Sequence, residues 1–250
     1  MADFKALGEK MDAMLSLRTP SLGIKFFENI EDIPADFEII KDDVMVCQVI
    51  GMSRYNGTKI AATKDSANAC AMGGASIGLY SPPSDMLDGT RNSGAWAKDA
   101  KAAKKLMEDR VLMEVGKFEA FGVSPLRDMD IEPDVVQAFG TPEQMLACVY
   151  AAIYDGGDKL VLETNGHGGS CNEVLSVPYV TGKIRLALAD IGEKRHAGAQ
   201  DEMIIGFPGS KLEWLIKNLE KAYNAIYKYP FKPYFAPVPE AVLKRVSIKY

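Results

Sequence analysis

Four cysteines impose the strongest constraint on this chain: Cys47 and Cys70 lie twenty-three positions apart, and so do Cys148 and Cys171. The segments between them match in kind. Each reads as a helix carrying the first cysteine, a glycine turn (Asn56-Gly57 or Gly156-Gly157), a strand beginning near a lysine, and a polar loop ending at the second cysteine. A strand upstream recurs as well, Gly23 to Phe27 in one half and Val135 to Phe139 in the other. Self-similarity at a fixed period decides a whole fold, so it is weighed before any motif. Two strand-helix-strand halves, about residues 20–80 and 133–182, predict an α/β fold within a single domain spanning 1–250. The expected architecture is a mixed or mostly parallel sheet with flanking helices and an internal pseudo-two-fold repeat. Coincidence is the alternative, because the two turns are offset by one residue and few identities are shared. Ligands in such sheets sit outside the carboxyl ends of strands. Cys70 and Cys171 both follow such an end, whereas Cys47 and Cys148 lie within helices.

The remaining segments fill in around these halves. Phe4, Leu7, Met11, Met14 and Leu15 recur at helical spacing, so residues 3–17 read as an amphipathic helix. Asp42-Asp43 lead into a helix over Val44 to Arg54, with acid at its positive end. Lys59 to Thr63 reads as a strand, 81–94 as a long loop and 95–109 as a helix. Val123 to Asp130 reads as an extended connection around Pro125. Thr141-Pro142-Glu143 opens a helix to about Tyr154, with threonine as cap and proline in the first turn. Lys159 to Glu163 and Met203 to Ile205 read as strands, and 210–227 as a helix. The proline- and aromatic-rich tail, 228–250, reads as an extended strap.

Composition narrows the function. The 250 residues are 47% hydrophobic and 25% charged, which is ordinary for a soluble globular protein. A net charge of −5 argues against a nucleic-acid binder, which needs a basic face. Four widely spaced cysteines are too few for a secreted disulfide scaffold. The N-terminus mixes charge with apolar residues and has no continuous apolar core of a signal peptide. No run approaches roughly 18 uninterrupted apolar residues, so no membrane helix is expected. The expected location is cytoplasmic, where thiols stay reduced. The expected partner is a small-molecule ligand or a redox partner protein, with neither nucleic acid nor membrane. A homo-oligomer is left open.

Both strand-end loops join cysteine to glycine: Cys70-Ala-Met-Gly73-Gly74 and Gly166-His167-Gly168-Gly169-Ser170-Cys171. Glycine lets the backbone approach a bound group and turn its N–H donors inward. A thiolate near such donors becomes a good soft-metal ligand or nucleophile. His167, four positions before Cys171, is placed to ligate metal or carry a proton. The reading is a cofactor or reactive-thiol site using Cys47, Cys70, Cys171 and His167, with Gly73, Gly74, Gly168 and Gly169 as its cradle. The alternative is that these glycines only turn the chain around small buried cysteines. Cys148, in the apolar run Met145 to Ala151, reads as core. No CxxC pair is present, which speaks against a zinc ribbon or thioredoxin motif. Ferredoxin spacing is absent too, so an iron–sulfur cluster would draw its ligands from distant segments. Lys194 and Arg195, in the charged segment Glu193 to His196, read either as a clamp for an anionic ligand or as a solvated turn.

The order of these features resembles a known family. Cys47, then Cys70 with its glycine-rich sequel to Gly78-Leu79, then Val123-Ser-Pro125, Pro133-Asp-Val-Val, Thr141-Pro-Glu-Gln-Met145, Ser170-Cys171, Pro178 to Gly182, Ile191-Gly192 and Gly206-Phe-Pro-Gly209 follow one another. The series is similar to the bacterial and archaeal domain of unknown function family one-six-nine, over about residues 20–225. The resemblance implies that Cys47, Cys70 and Cys171 recur as a set, and Cys148 has no counterpart. It also implies an anaerobe setting, which fits an oxygen-sensitive cofactor. The functional expectation is a metal-binding redox protein holding an iron–sulfur (4Fe–4S) cluster through these three thiols. A fourth iron would then face His167, substrate or a partner. The alternatives are a non-redox protein that binds a small anionic ligand, and an enzyme with a cysteine nucleophile.

Overall fold

The computed structural model describes residues 3–225; the strap 228–250 and the last two positions of the helix read over 210–227 lie outside the described residues. In chain order the elements are α1 (Phe4–Leu15), β1 (Leu22–Phe27), β2 (Glu38–Ile40), α2 (Val46–Asn56), β3 (Ile60–Thr63), α3 (Ala71–Ser76), α4 (Ser84–Leu87), α5 (Ala100–Glu108) and β4 (Ala120–Pro125). There follow β5 (Val135–Gly140), α6 (Pro142–Ile153), a π-helix (Gly169–Ser176), α7 (Val177–Thr181), β6 (Arg185–Ala187), α8 (Ile191–His196), β7 (Met203–Pro208) and α9 (Leu212–Ala225). The caps are those the residues dictate. Thr141 accepts from the Gln144 amide while the Gln144 side chain accepts from the Thr141 amide, and Pro142 occupies the first turn. Gly57, at φ +69°, closes α2 in the left-handed conformation.

The strands form one mixed sheet in the order β2-β3-β4-β1-β5-β7-β6. Its balance is antiparallel rather than parallel: among the described residues only β2 and β3 pair in parallel. The reason is β4, which enters between β3 and β1 and runs against both. Residues 120–125 are Ala-Phe-Gly-Val-Ser-Pro, a poor strand sequence by composition, and only the last part was legible as extended chain. Gly122 is required there, since a Cβ would stand 2.7 Å from the Phe37 ring.

Alternation along the strands divides the interior between two faces. On one face Ile24, Phe26, Val123, Val135 and Phe139 pack with Val46, Val49 and Ile50 of α2 and with Cys171 and Val174 of the π-helix. On the other, Val136, Ala138, Ile205 and Phe207 pack with Met145 and Cys148 of α6, with Met11 and Leu15 of α1 and with Leu215 and Leu219 of α9. Cys148 is therefore core, as its apolar run predicts.

The internal repeat does not appear in this arrangement. The helices meant to correspond, α2 and α6, cover opposite faces of the sheet. The strand expected at Lys159 to Glu163 is also missing. That segment touches β6 through the Glu163–Arg185 ion pair at 2.7 Å but forms no ladder. Val161 and Leu162 are both exposed, so neither face of the segment is buried consistently and nothing fixes a strand register. The helix read over 95–109 begins only at Ala100, and Trp96 belongs to the turn before it. The Glu193 to His196 segment is helix α8 rather than a turn.

Candidate functional site

Three of the four cysteines line one cavity of about 290 Å³, together with His167, Met45, Met72, Met86, Asn92, Trp96, Asp190 and Glu193. The cavity lies on the α2 face of the sheet. Cys47 stands in the first turn of α2, Cys70 immediately precedes α3, and Cys171 is in the first turn of the π-helix. Each thiol is thus fixed by a helix start. The Tyr80 hydroxyl lies 3.0 Å from the Ala67 carbonyl and 3.1 Å from that of Cys70, tying down the loop that brings Cys70 in.

The glycines divide by role. Gly168 lines the cavity at φ +84°, and its amide donates to Asp190 at 2.8 Å. Gly73 also lines it and allows α3 to approach α2, since a Cβ would stand 3.3 Å from Val46. Gly74 and Gly169 are absent from the cavity wall. A Cβ on Gly74 would meet the Tyr80 hydroxyl at 2.4 Å, and one on Gly169 would meet Glu193 at 2.7 Å and the Ala189 backbone at 2.9 Å. They are packing glycines that let the walls close.

Glu193 is the hub of the polar side of the site. It is 3% exposed. One carboxylate oxygen accepts from the Ser170 amide and hydroxyl, and the other accepts from the Asp190 amide at 3.0 Å. Asp190 in turn accepts from the Glu193 amide at 2.9 Å, so the pair is a capping box that starts α8. Burial, reinforced by the neighbouring Asp190 carboxylate, raises Glu193 to about 7.

The thiols sit in the same dry surroundings. Cys47 occupies a helix N-terminus, which by itself favours a thiolate. Burial outweighs that, and with Glu193 and Cys70 nearby the Cys47 thiol is pushed up to about 12. Burial also raises Cys171 well above the usual thiol range; Glu193, Cys70 and Cys47 add to the shift, and Arg110 opposes it. His167 stacks on Trp96 with ring centroids 4.2 Å apart. Burial, with the Arg110 guanidinium beside it, lowers His167 to about 4. Its imidazole is therefore neutral at pH 7, the form that ligates metals. Arg110 stands behind this wall and donates to the His167 carbonyl at 2.8 Å. Among the described residues, no group of three or more His, Cys, Asp or Glu side chains is set to hold a metal ion.

Lys194 and Arg195 are not brought to the cavity. The Lys194 ammonium donates to the carbonyls of Ala199, at 3.0 Å, and Glu202. Arg195 is exposed and borders a separate hollow with Asp42, Asp43, Tyr55 and His196. Sequence reasoning gave Glu193 no role of its own, although Asp190 followed three residues later by Glu193 is a capping-box signature. Asn92, Trp96 and Arg110 carried no local signal; the chain returning past the sheet brings them in.

A family model described as DUF169, uncharacterised ArCR, matches residues 10–218. The chain is also 26% identical over 216 residues to the uncharacterized protein MJ0308 of Methanocaldococcus jannaschii, covering 85% of this chain and 91% of that one. No solved structure matches it. Among the described residues no helix is long and apolar enough to cross a membrane.

Proposed function

The chain belongs to the DUF169 family, and on that premise we propose that it is a cytoplasmic iron–sulfur protein whose cluster is held by Cys47, Cys70 and Cys171. The observation that carries this reading is the convergence of those three thiols, with His167, on one cavity from which Cys148 is left out. What supports the reading is the chemistry of the donors rather than a preformed metal site. Thiolates are the usual ligands of iron–sulfur clusters, and the thioethers of Met45, Met72 and Met86 extend the same soft lining. The three thiols come from separate segments around a shared space, as a group of several atoms requires. Such a cluster would supply one-electron transfer at the three thiols.

The chain's own residues do the rest. Cys47 and Cys171 hold protons in the metal-free site and release them on ligation, so loading is favoured by rising pH. His167, held neutral, keeps a nitrogen lone pair available beside the thiols. The Trp96 ring stacked on it lines the same cavity. Of the two cysteines that could serve a nucleophilic enzyme, Cys70 and Cys171, the second is disfavoured, since burial keeps its thiol protonated. The anion-clamp reading loses Lys194 and Arg195, which lie elsewhere.

Protein purified or reconstituted without oxygen is expected to be brown and to contain iron and acid-labile sulfide. Cys47→Ser, Cys70→Ser and Cys171→Ser should each lose most of that iron, while Cys148→Ser keeps it. Colourless, iron-free protein after reconstitution overturns the reading.

A further inference from the structure

We propose that Arg110 is a positioning residue of the thiol site, one that selects an anionic, sulfide-bearing occupant over a bare divalent cation. The inference rests on the iron–sulfur reading and deepens it. Arg110 is 8% exposed, yet only one of its nitrogens is accounted for: Nη2 donates to the His167 carbonyl at 2.8 Å. Nε and Nη1 are buried without an acceptor among the described residues. Nη1 and the Cys171 sulfur come together over Gly168, lying 2.8 Å and 3.5 Å from the point where a Cβ on that glycine would stand. Both therefore border the space that a Gly168 side chain would fill, which the Asn172 Cβ also borders at 3.4 Å.

A buried cation with unmade hydrogen bonds is unfavourable until an anion supplies both charge and acceptors. The Cys171 sulfur, once ionised, supplies part of this. Sulfides of a cluster bound at that sulfur supply more, and hydrogen bonds to cluster sulfurs are a principal control on reduction potential. A bare divalent cation offers no acceptor and is repelled by the same guanidinium. Reduction adds one electron, and so one negative charge, to the occupant. Arg110 therefore favours the reduced state more than the oxidised one.

The test compares wild type, Arg110→Met and Arg110→Lys, each reconstituted with iron and sulfide. Each is titrated with dithionite, which gives up electrons and is oxidised towards sulfite. Arg110→Met is expected to disfavour the reduced state about tenfold, lowering the midpoint by about 59 mV for one electron. Arg110→Lys, which keeps the charge without the fork, should fall between. Cd²⁺ binding to metal-free Arg110→Met should be unchanged or tighter. In wild type labelled with ¹⁵N-guanidino arginine, pulsed EPR of the reduced state should show a nitrogen coupling that Arg110→Lys lacks. An unchanged midpoint, a missing nitrogen coupling, or equal loss of Cd²⁺ and cluster in Arg110→Met overturns the role of Arg110 while leaving the iron–sulfur reading standing. Wild type that takes up no cluster overturns both.

Discussion

Glu193 is the acid of this site whose charge changes near neutral pH. Its carboxyl ionises at about 7 in the folded chain, because burial and Asp190 penalise the charged form. In the unfolded chain a glutamate ionises near about 4.3. Between those values the native state holds a proton that the unfolded state has released. The resulting stabilisation is complete below the unfolded value and is lost as pH rises through about 7. Metal-free protein should therefore lose stability with rising pH across this window, by up to about 1.4 kcal/mol per pH unit from this group. Urea unfolding of wild type and Glu193→Gln over about pH 5 to 8 checks this. The glutamine variant should lack that component of the slope; an identical slope assigns it to another group. The capping box Asp190–Glu193 was legible in four consecutive letters, because it is a local hydrogen-bonding pattern. The shift of Glu193 was not, because it depends on burial in the folded chain, which outweighs the hydrogen bonds from Ser170.

The π-helix is the element that presents Cys171, and the sheet pins it from below. The Gln137 side chain of β5 donates to the carbonyls of Ser170, at 2.7 Å, and Val174, at 3.1 Å. Gly206 of β7 passes beneath so closely that a Cβ would stand 2.0 Å from the Val174 carbonyl oxygen. The obstacle is backbone, which cannot rotate aside. Gly206→Ala is expected to destabilise by about 3 kcal/mol, the upper end of overpacking effects, as read by chemical denaturation. It should also speed amide exchange at 171–176 more than in β1 or β4. A loss below about 0.5 kcal/mol, the range of indifferent surface changes, shows that the contact yields. Elements with strong local signals were readable in advance, such as α6 with its Thr141-Pro142 start and α9 with its apolar face. β4 and the Lys159 to Glu163 segment were misread for opposite reasons. The first has weak strand residues but two partners, and the second has strong strand residues and none.

Across the whole molecule, Arg54 joins the α2 side of the site to the chain that leads into β7. Its side chain is nearly fully buried, forks onto Glu202 at 2.7 and 2.8 Å, donates to Thr19 and the Ala197 carbonyl, and lies over the Phe139 ring at 4.2 Å. Arg54→Met leaves the Glu202 carboxylate buried without its counter-charge, and should cost about 3–5 kcal/mol in unfolding free energy. The double variant Arg54→Met/Glu202→Leu should recover much of that loss; no recovery means that Arg54 acts through packing alone. The amino-acid sequence by itself determined the α/β class, the helices α1, α2, α6 and α9 to within a few residues, and the core role of Cys148. These follow from periodicity, caps and residue chemistry, which act over a few positions. Only the tertiary structure decided that the sheet is mainly antiparallel, that α2 and α6 lie on opposite faces, and that Trp96 and Glu193 join Cys47, Cys70, Cys171 and His167, with Arg110 behind them, while Lys194 and Arg195 do not. Those outcomes depend on which strands find partners and which charges lose water, and both are set by residues far apart along the chain.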